Sequence, residues 1–415
     1  MFKHYQKHTL PFKEFIGLMA LMMSLVALSI DSLLPALDAI GESMGNVNTN
    51  DNQLMIAFLF IGLGLGQLLF GPLSDSIGRR KTMVIGYVIF FIGSLLTFMA
   101  TDYDTMLASR FLQGFGVAAP RVLTAAIIRD LYQGRTMAKV MSFVMMLFIL
   151  VPMLAPIMGQ AILTTFNWHG IFIFTALVGV VSLCWYLLRQ EETLAIEHRT
   201  RFTITRLKQS FLTIFCDRHV IGYIIASGLI SGPFVFYLSS SQQLLQVSYQ
   251  LGENFPLYFA GISFVLGIAS FVNGKKVVKY GMLKIATLSL ILLASVSFTF
   301  LLVSFYYQGL PPLWMLTLFL LCLFFSLGLI FGNLTALAMN PLGEIAGIGS
   351  AVVGALSTLM SVGIAVIIGQ MFDGTTYMLV VSFLIATLSV LGLLKWINRR
   401  NNLFVDTKIK KVQEG

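Results

Sequence analysis

The chain has 415 residues, 57% of them hydrophobic and only 11% charged, with a mean hydropathy of +0.86. A soluble domain carries about 25% charged residues, so no water-exposed globule hides this much apolar surface, and lipid is the solvent that the composition implies. The formal charge of +9 does not point to nucleic acid, because the cations sit in short loops between apolar runs.

A helix needs about 20 apolar residues to cross a hydrocarbon core of about 30 Å. Twelve runs qualify, at roughly 14–37, 53–74, 82–100, 105–128, 138–163, 168–188, 219–244, 255–273, 283–304, 312–337, 345–370 and 375–397. The first run follows Lys3, Lys7 and Lys13 and shows no small-x-small cleavage site, so it is expected to stay as a span rather than leave as a signal peptide. The longest connection, 189–218, is basic and follows the sixth run. The expected fold is an all-α membrane protein with twelve transmembrane helices in two six-helix halves, 1–188 and 219–400. A central cytoplasmic loop at 189–218 joins them, and 401–415 forms a cytoplasmic tail.

Charge tests the count. With the N-terminus inside, the segments on that side hold 25 of the 27 Lys and Arg, and the outer loops hold none. Short loops rich in Lys and Arg stay cytoplasmic, which places both termini inside. One missed span would invert every later loop and destroy this segregation. Arg110 and Arg121, both in the fourth run, are the two exceptions.

In chain order, the first run carries Asp31, the only acid well inside an apolar run, about six residues from its outer end. Charge inside a membrane is costly and usually faces a cavity or a partner. An apolar cavity would favour the neutral acid and a neighbouring guanidinium the carboxylate, so a site that alternates between the two can take up and release a proton. The second run holds Gly62-Leu63-Gly64-Leu65-Gly66, a spacing that lets helices approach closely. It ends in the turn Gly71-Pro72-Leu73-Ser74-Asp75-Ser76-Ile77-Gly78-Arg79-Arg80-Lys81, whose cations mark a cytoplasmic loop.

In the fourth run Arg110 lies at the depth of Asp31, with Gln113 one turn on and on the same face; Asp31 and Gln113 are candidate substrate contacts as well. Arg121 sits deeper and either snorkels to the cytoplasmic surface or lines an inner cavity. The fifth run carries Met141 and Met145, adaptable side chains that suit irregular ligands or plain packing. It also carries Pro152 and Pro156, which remove backbone donors and are expected to kink the helix together with Gly159. The seventh run ends in an aromatic and polar stretch in which Phe236 and Tyr237 are candidate substrate contacts, or interface anchors.

The turn 71–81 returns as Asn273-Gly274-Lys275-Lys276-Val277-Val278-Lys279-Tyr280-Gly281, with Gly78 and Lys81 matching Gly281 and Lys284 at one offset of 203 residues. Parallel repeats of this kind belong to a known transporter plan. Cys184, Cys216 and Cys322 form neither a disulfide framework nor a metal spacing. The five histidines fall in tails, loops or run ends, and no phosphate-binding loop is visible. Neither enzyme chemistry nor a metal or cofactor is expected, so active transport would draw on an ion gradient.

Gly71-x-Leu73-Ser74-Asp75-x-x-Gly78-Arg79-Arg80 resembles the loop 2–3 motif of the major facilitator superfamily. In that family the acid and first base of the motif form a cytoplasmic charge latch with an acid at the end of the fourth helix. The resemblance assigns this latch to Asp75, Arg79 and Asp130, and implies that it holds the outward-facing state. Arg110-Phe111-Leu112-Gln113-Gly114-Phe115-Gly116 resembles the fourth-helix motif of proton antiporters. Asp31-Ser32-Leu33-Leu34-Pro35-Ala36-Leu37 is similar to the first-helix signature of Bcr/CflA-type drug:proton antiporters. Ala155-Pro156-x-x-Gly159 resembles the fifth-helix antiporter motif, departing from it at Ala155 and Gln160, where glycine is usual.

The resemblance implies a monomeric, multi-pass protein of a bacterial inner membrane. It would exchange protons for lipophilic, amphipathic compounds such as phenicols, bicyclomycin-like antibiotics or sulfonamides, with Asp31 titrating and Arg110 modulating it. The same fold also serves a proton-coupled importer or exporter of a sugar or amino acid, and a transport-dead scaffold or sensor would keep it too.

Overall fold

Apolar runs in lipid have to satisfy every backbone N–H and C=O internally, and helices do so within one segment. The computed structural model describes residues 10–46, 48–200, 212 and 214–413. Among the described residues twelve helices are long and apolar enough to cross a membrane. The described residues cluster into two units, one from 10–200 with Glu253–Phe264, the other from 212–252 with 265–413.

In the first unit we label α1 Phe12–Asp31, α2 Leu37–Ser43, α3 Leu54–Ile77, α4 Arg79–Met99, α5 Tyr103–Leu131, α6 Gly134–Phe166 and α7 His169–Arg189. The first span, expected over 14–37, lies within one candidate span at Phe12–Ser43, but it is not one continuous α-helix. The α-helix stops at Asp31, a short 3-10 turn follows at Leu34–Ala36, and α2 resumes at Leu37. Pro35 is the reason, since it has no N–H to give to the Asp31 carbonyl and its ring clashes with the preceding turn. By contrast α6 stays helical through both Pro152 and Pro156.

Glycines set the packing of α3, α4 and α5. A Cβ on Gly62 would lie 2.0 Å from the Phe111 carbonyl oxygen, one on Gly114 1.9 Å from that of Leu59, and one on Gly116 2.3 Å from the Phe90 nitrogen. Backbone therefore meets backbone, as small-residue spacing permits. Outside the spans, Asp102 caps α5 by accepting from the Thr105 N–H at 2.8 Å and the Thr105 hydroxyl at 2.7 Å. The Thr105 N–H is the main cause that holds the Asp102 carboxyl below its usual range.

The remaining helices are α8 Arg218–Ser241, α9 Phe255–Tyr280, α10 Met282–Tyr306, α11 Leu313–Met339, α12 Ala346–Gln370 and α13 Tyr377–Gln413; all belong to the second unit except the start of α9, up to Phe264, which clusters with the first. Gly228 and Gly232 of α8 lie against the Met360 and Ile364 side chains of α12. Phe300 of α10 stacks on Phe319 of α11 at 4.5 Å, and Asn333 of α11 donates to the Asn273 side chain of α9 at 2.8 Å. The seventh span also departs from expectation. After Ser241 the helix widens into a π turn, Gln242–Ser248, with Gln242, Gln243, Leu244 and Leu245 buried. Such turns are rare and often accompany functional sites.

Candidate functional site

The first cluster lies inside the membrane-spanning part of the first unit. Arg110 of α5 is fully buried. Its Nη2 donates to the Ser29 carbonyl at 2.8 Å and its Nε to the Met55 carbonyl at 3.3 Å. Its Nη1 donates to the Gln113 side-chain oxygen. Gln113 in turn donates to the Ser94 hydroxyl at 2.9 Å, and the guanidinium lies 5.8 Å from the centre of the Phe172 ring. Arg110 thus solves its burial with neutral acceptors and an aromatic face, which leaves its positive charge unneutralised.

Asp31 sits two residues beyond the carbonyl that anchors Arg110 and is 5% exposed. Among the described residues no ion pair and no hydrogen bond reaches its carboxylate. Arg110 is therefore brought onto the helix of Asp31, through Ser29, but not onto the carboxylate itself. The helix break that follows Asp31 packs on α6. A Cβ at Gly159 would lie 2.0 Å from the Ser32 carbonyl oxygen. Gly159, expected to act with the prolines as a kink, makes room for the broken end of α1.

The second cluster surrounds the turn between α3 and α4. Arg79 is buried. Its Nη1 pairs with Asp75 Oδ1 at 2.5 Å and its Nε with Asp130 Oδ2 at 3.0 Å, while Nη1 also reaches the Ser74 hydroxyl at 2.6 Å. Asp75, Arg79 and Asp130 are thus brought together. A residue that no motif announced completes the arrangement. Glu192 accepts from the backbone N–H of Arg79 at 2.9 Å and of Arg80 at 3.0 Å, capping α4 with a carboxylate where the helix dipole favours one. The Arg80 side chain turns away to the Leu187 carbonyl at 2.6 Å. Gly78 has φ 100° and ψ 158°, a region essentially reserved for glycine, and a Cβ there would lie 2.5 Å from Glu192 Oε2. Gly71 is buried at the end of α3.

The remaining candidates are scattered. Met141 and Met145 are half-buried on α6. Arg121 is exposed, about three turns from Arg110 on the same face of α5. Phe236 and Tyr237 of α8 are fully buried, edge-on to Phe372 at 5.7 Å and to Phe324 at 5.5 Å. Two amides not singled out as site residues in the sequence carry a buried atom with an unmet hydrogen bond among the described residues, Gln67 at Nε2 and Gln160, half-buried, at Oε1. Buried polar atoms are normally paired, so each such atom is suited to meet a ligand or water.

Residues 19–368 match the family model of the Major Facilitator Superfamily. The chain is 30% identical over 360 residues to the uncharacterized MFS-type transporter YdgK of Bacillus subtilis, covering 85% of this chain and 87% of that one. It is 31% identical over 288 residues to the bicyclomycin resistance protein homolog of Haemophilus influenzae, covering 68% of this chain and 71% of that one. Among solved structures, the human organic anion transporter MFSD10 superposes with a TM-score of 0.71 at 18% identity, over 94% of this chain and 99% of that one. That last likeness is one of fold.

Proposed function

We propose, since the chain belongs to the major facilitator superfamily and is a transporter rather than an enzyme, that it exports amphipathic organic compounds in exchange for protons by alternating access. The observation that carries this reading is Asp31, a buried carboxyl at a helix break, which among the described residues pairs with no cation. An acid tied to an arginine would stay ionised; one that is not is available to bind and release a proton as its surroundings change. Arg110 supplies a fixed positive charge tied to the same helix through the Ser29 carbonyl, and Gln113, engaged at both ends of its amide, positions that charge rather than the substrate.

The likeness to a bicyclomycin resistance protein homolog supports export of an organic compound of that kind. Met141, Met145, Gln67 and Gln160 are the contacts we assign to it on the first unit, and Phe236 and Tyr237 on the second. The Asp75–Arg79–Asp130 latch holds one cytoplasmic arrangement closed. The protein works as a monomer in a bacterial inner membrane with both termini inside, drawing on the proton gradient without a cofactor.

Proton release on substrate addition tests this. Purified protein in weakly buffered detergent is challenged with a phenicol, bicyclomycin and a sulfonamide, wild type beside Asp31→Asn. Release from the wild type, with Asp31→Asn binding the same compound silently, is the expected result. Equal release from both proteins, or export by Asp31→Asn that still follows the pH gradient, rejects Asp31 as the coupling group.

A further inference from the structure

Four exposed lysines flank the turn between α9 and α10: Lys275, Lys276 and Lys279 at the end of α9 and Lys284 in the first turn of α10. The Nζ atoms of Lys276, Lys279 and Lys284 lie 5.9, 5.5 and 5.9 Å from the centre of the single Tyr280 ring. Lys275 lies 4.2 Å from that of Phe271. Among the described residues no carboxylate pairs with any of the four. Three ammonium groups gathered round one ring repel each other, and an anion between them relieves that repulsion.

A cleft of about 590 Å³ opens beside them, walled by Tyr280, Met282, Leu283, Thr287, Leu288 and Leu337. Lys284 itself lines one side of the cleft; the rest of the wall is apolar apart from Thr287 and the Tyr280 hydroxyl, and Leu288 is 57% exposed. The matching turn of the first unit shows what fits. There Glu192 accepts from the N–H groups of Arg79 and Arg80. The residues 203 positions later are Met282 and Leu283, where no side chain caps α10 and no acid lies in its first turn. The position of Asp75 is taken by Val278, which is 92% exposed.

We propose that this turn binds an acidic phospholipid. The headgroup phosphate accepts hydrogen bonds from Lys276, Lys279 and Lys284 beside the uncapped start of α10, and an acyl chain lies along the cleft towards Leu337. The lysines and the cleft together select the ligand. Lysines beside a membrane surface attract anionic lipid, and a free phosphate would leave the apolar wall bare. The distribution of cations along the chain puts the turn on the cytoplasmic side.

The test uses the full-length protein in detergent, with bound lipid counted by native mass spectrometry. The probes are phosphatidylglycerol and phosphatidylcholine of the same chain length. Wild type is expected to retain phosphatidylglycerol at least tenfold better than phosphatidylcholine. K276Q/K279Q/K284Q loses that preference, and so does Val278→Asp, which adds an internal acid at an exposed position without removing a lysine. A control, K81Q/K139Q/K395Q, removes three exposed cations elsewhere and keeps the preference. Loss of preference in the control to the same degree shows general charge attraction and overturns the site. Complete displacement of phosphatidylglycerol by millimolar inorganic phosphate shows a site for soluble anions and overturns the lipid assignment.

Discussion

Gly78 and Gly281 precede α4 and α10 with nearly the same backbone, φ 100° and ψ 158° against φ 80° and ψ 150°. Their surroundings differ. Around Gly78 three acids, Asp75, Asp130 and Glu192, close on Arg79 and on the first N–H groups of α4. Around Gly281 stand lysines without acids, and a Cβ there would meet nothing within 4 Å. The two turns share the path of the chain and differ in charge balance. A glycine common to both can thus report turn geometry alone, while the acids of only one report a specific closure.

The largest contrast is expected at the cation. Arg79→Ala leaves Asp75 and Asp130 facing each other without their counter-charge, and removing one partner of a buried pair costs about 3–5 kcal/mol. Met282→Ala, at the matching position, should cost about 1 kcal/mol. Thermal unfolding of the two variants in one detergent checks this, and equal losses would dissolve the distinction between the turns.

The glycines come next. Gly78→Ala and Gly281→Ala both force a side chain into a strained region, at about 1–3 kcal/mol each. Only at Gly78 does the new Cβ also meet Glu192 Oε2 at 2.5 Å, so Gly78→Ala should unfold at the lower temperature. The smallest effect is at the cap. Glu192→Ala should cost about 1 kcal/mol, the usual value of a lost helix cap. Glu192→Gln, which keeps an acceptor, should cost less than that in the same unfolding assay.

Hydropathy made the twelve spans legible, because spanning lipid demands long apolar runs whatever their tertiary partners. The glycine spacing at 62–66 was legible too, since close approach needs the absence of a side chain. The break after Asp31 was not read, although Pro35 was in view, because a hydropathy average is blind to one missing N–H. The π turn at Gln242–Ser248 left no compositional mark. Glu192 joins Arg79 across 113 residues, and no local pattern announces such a contact. The partners of Arg110 were illegible for a simpler reason: two of them are backbone carbonyls, which every residue possesses. Sequence could place a charge at a depth, but not say whether it would meet a carboxylate or a peptide bond.

The glycine contacts among α3, α4 and α5 have a mechanical side. Where backbone rests on backbone, at Gly62, Gly114 and Gly116, no rotamer can swing aside to let one helix slide past its neighbour. The three helices therefore behave as a single plank, stiff against shear. Bending is left to places where the hydrogen-bond ladder is already interrupted, and one such place in this unit is the step that Pro35 makes between α1 and α2, directly after the buried acid.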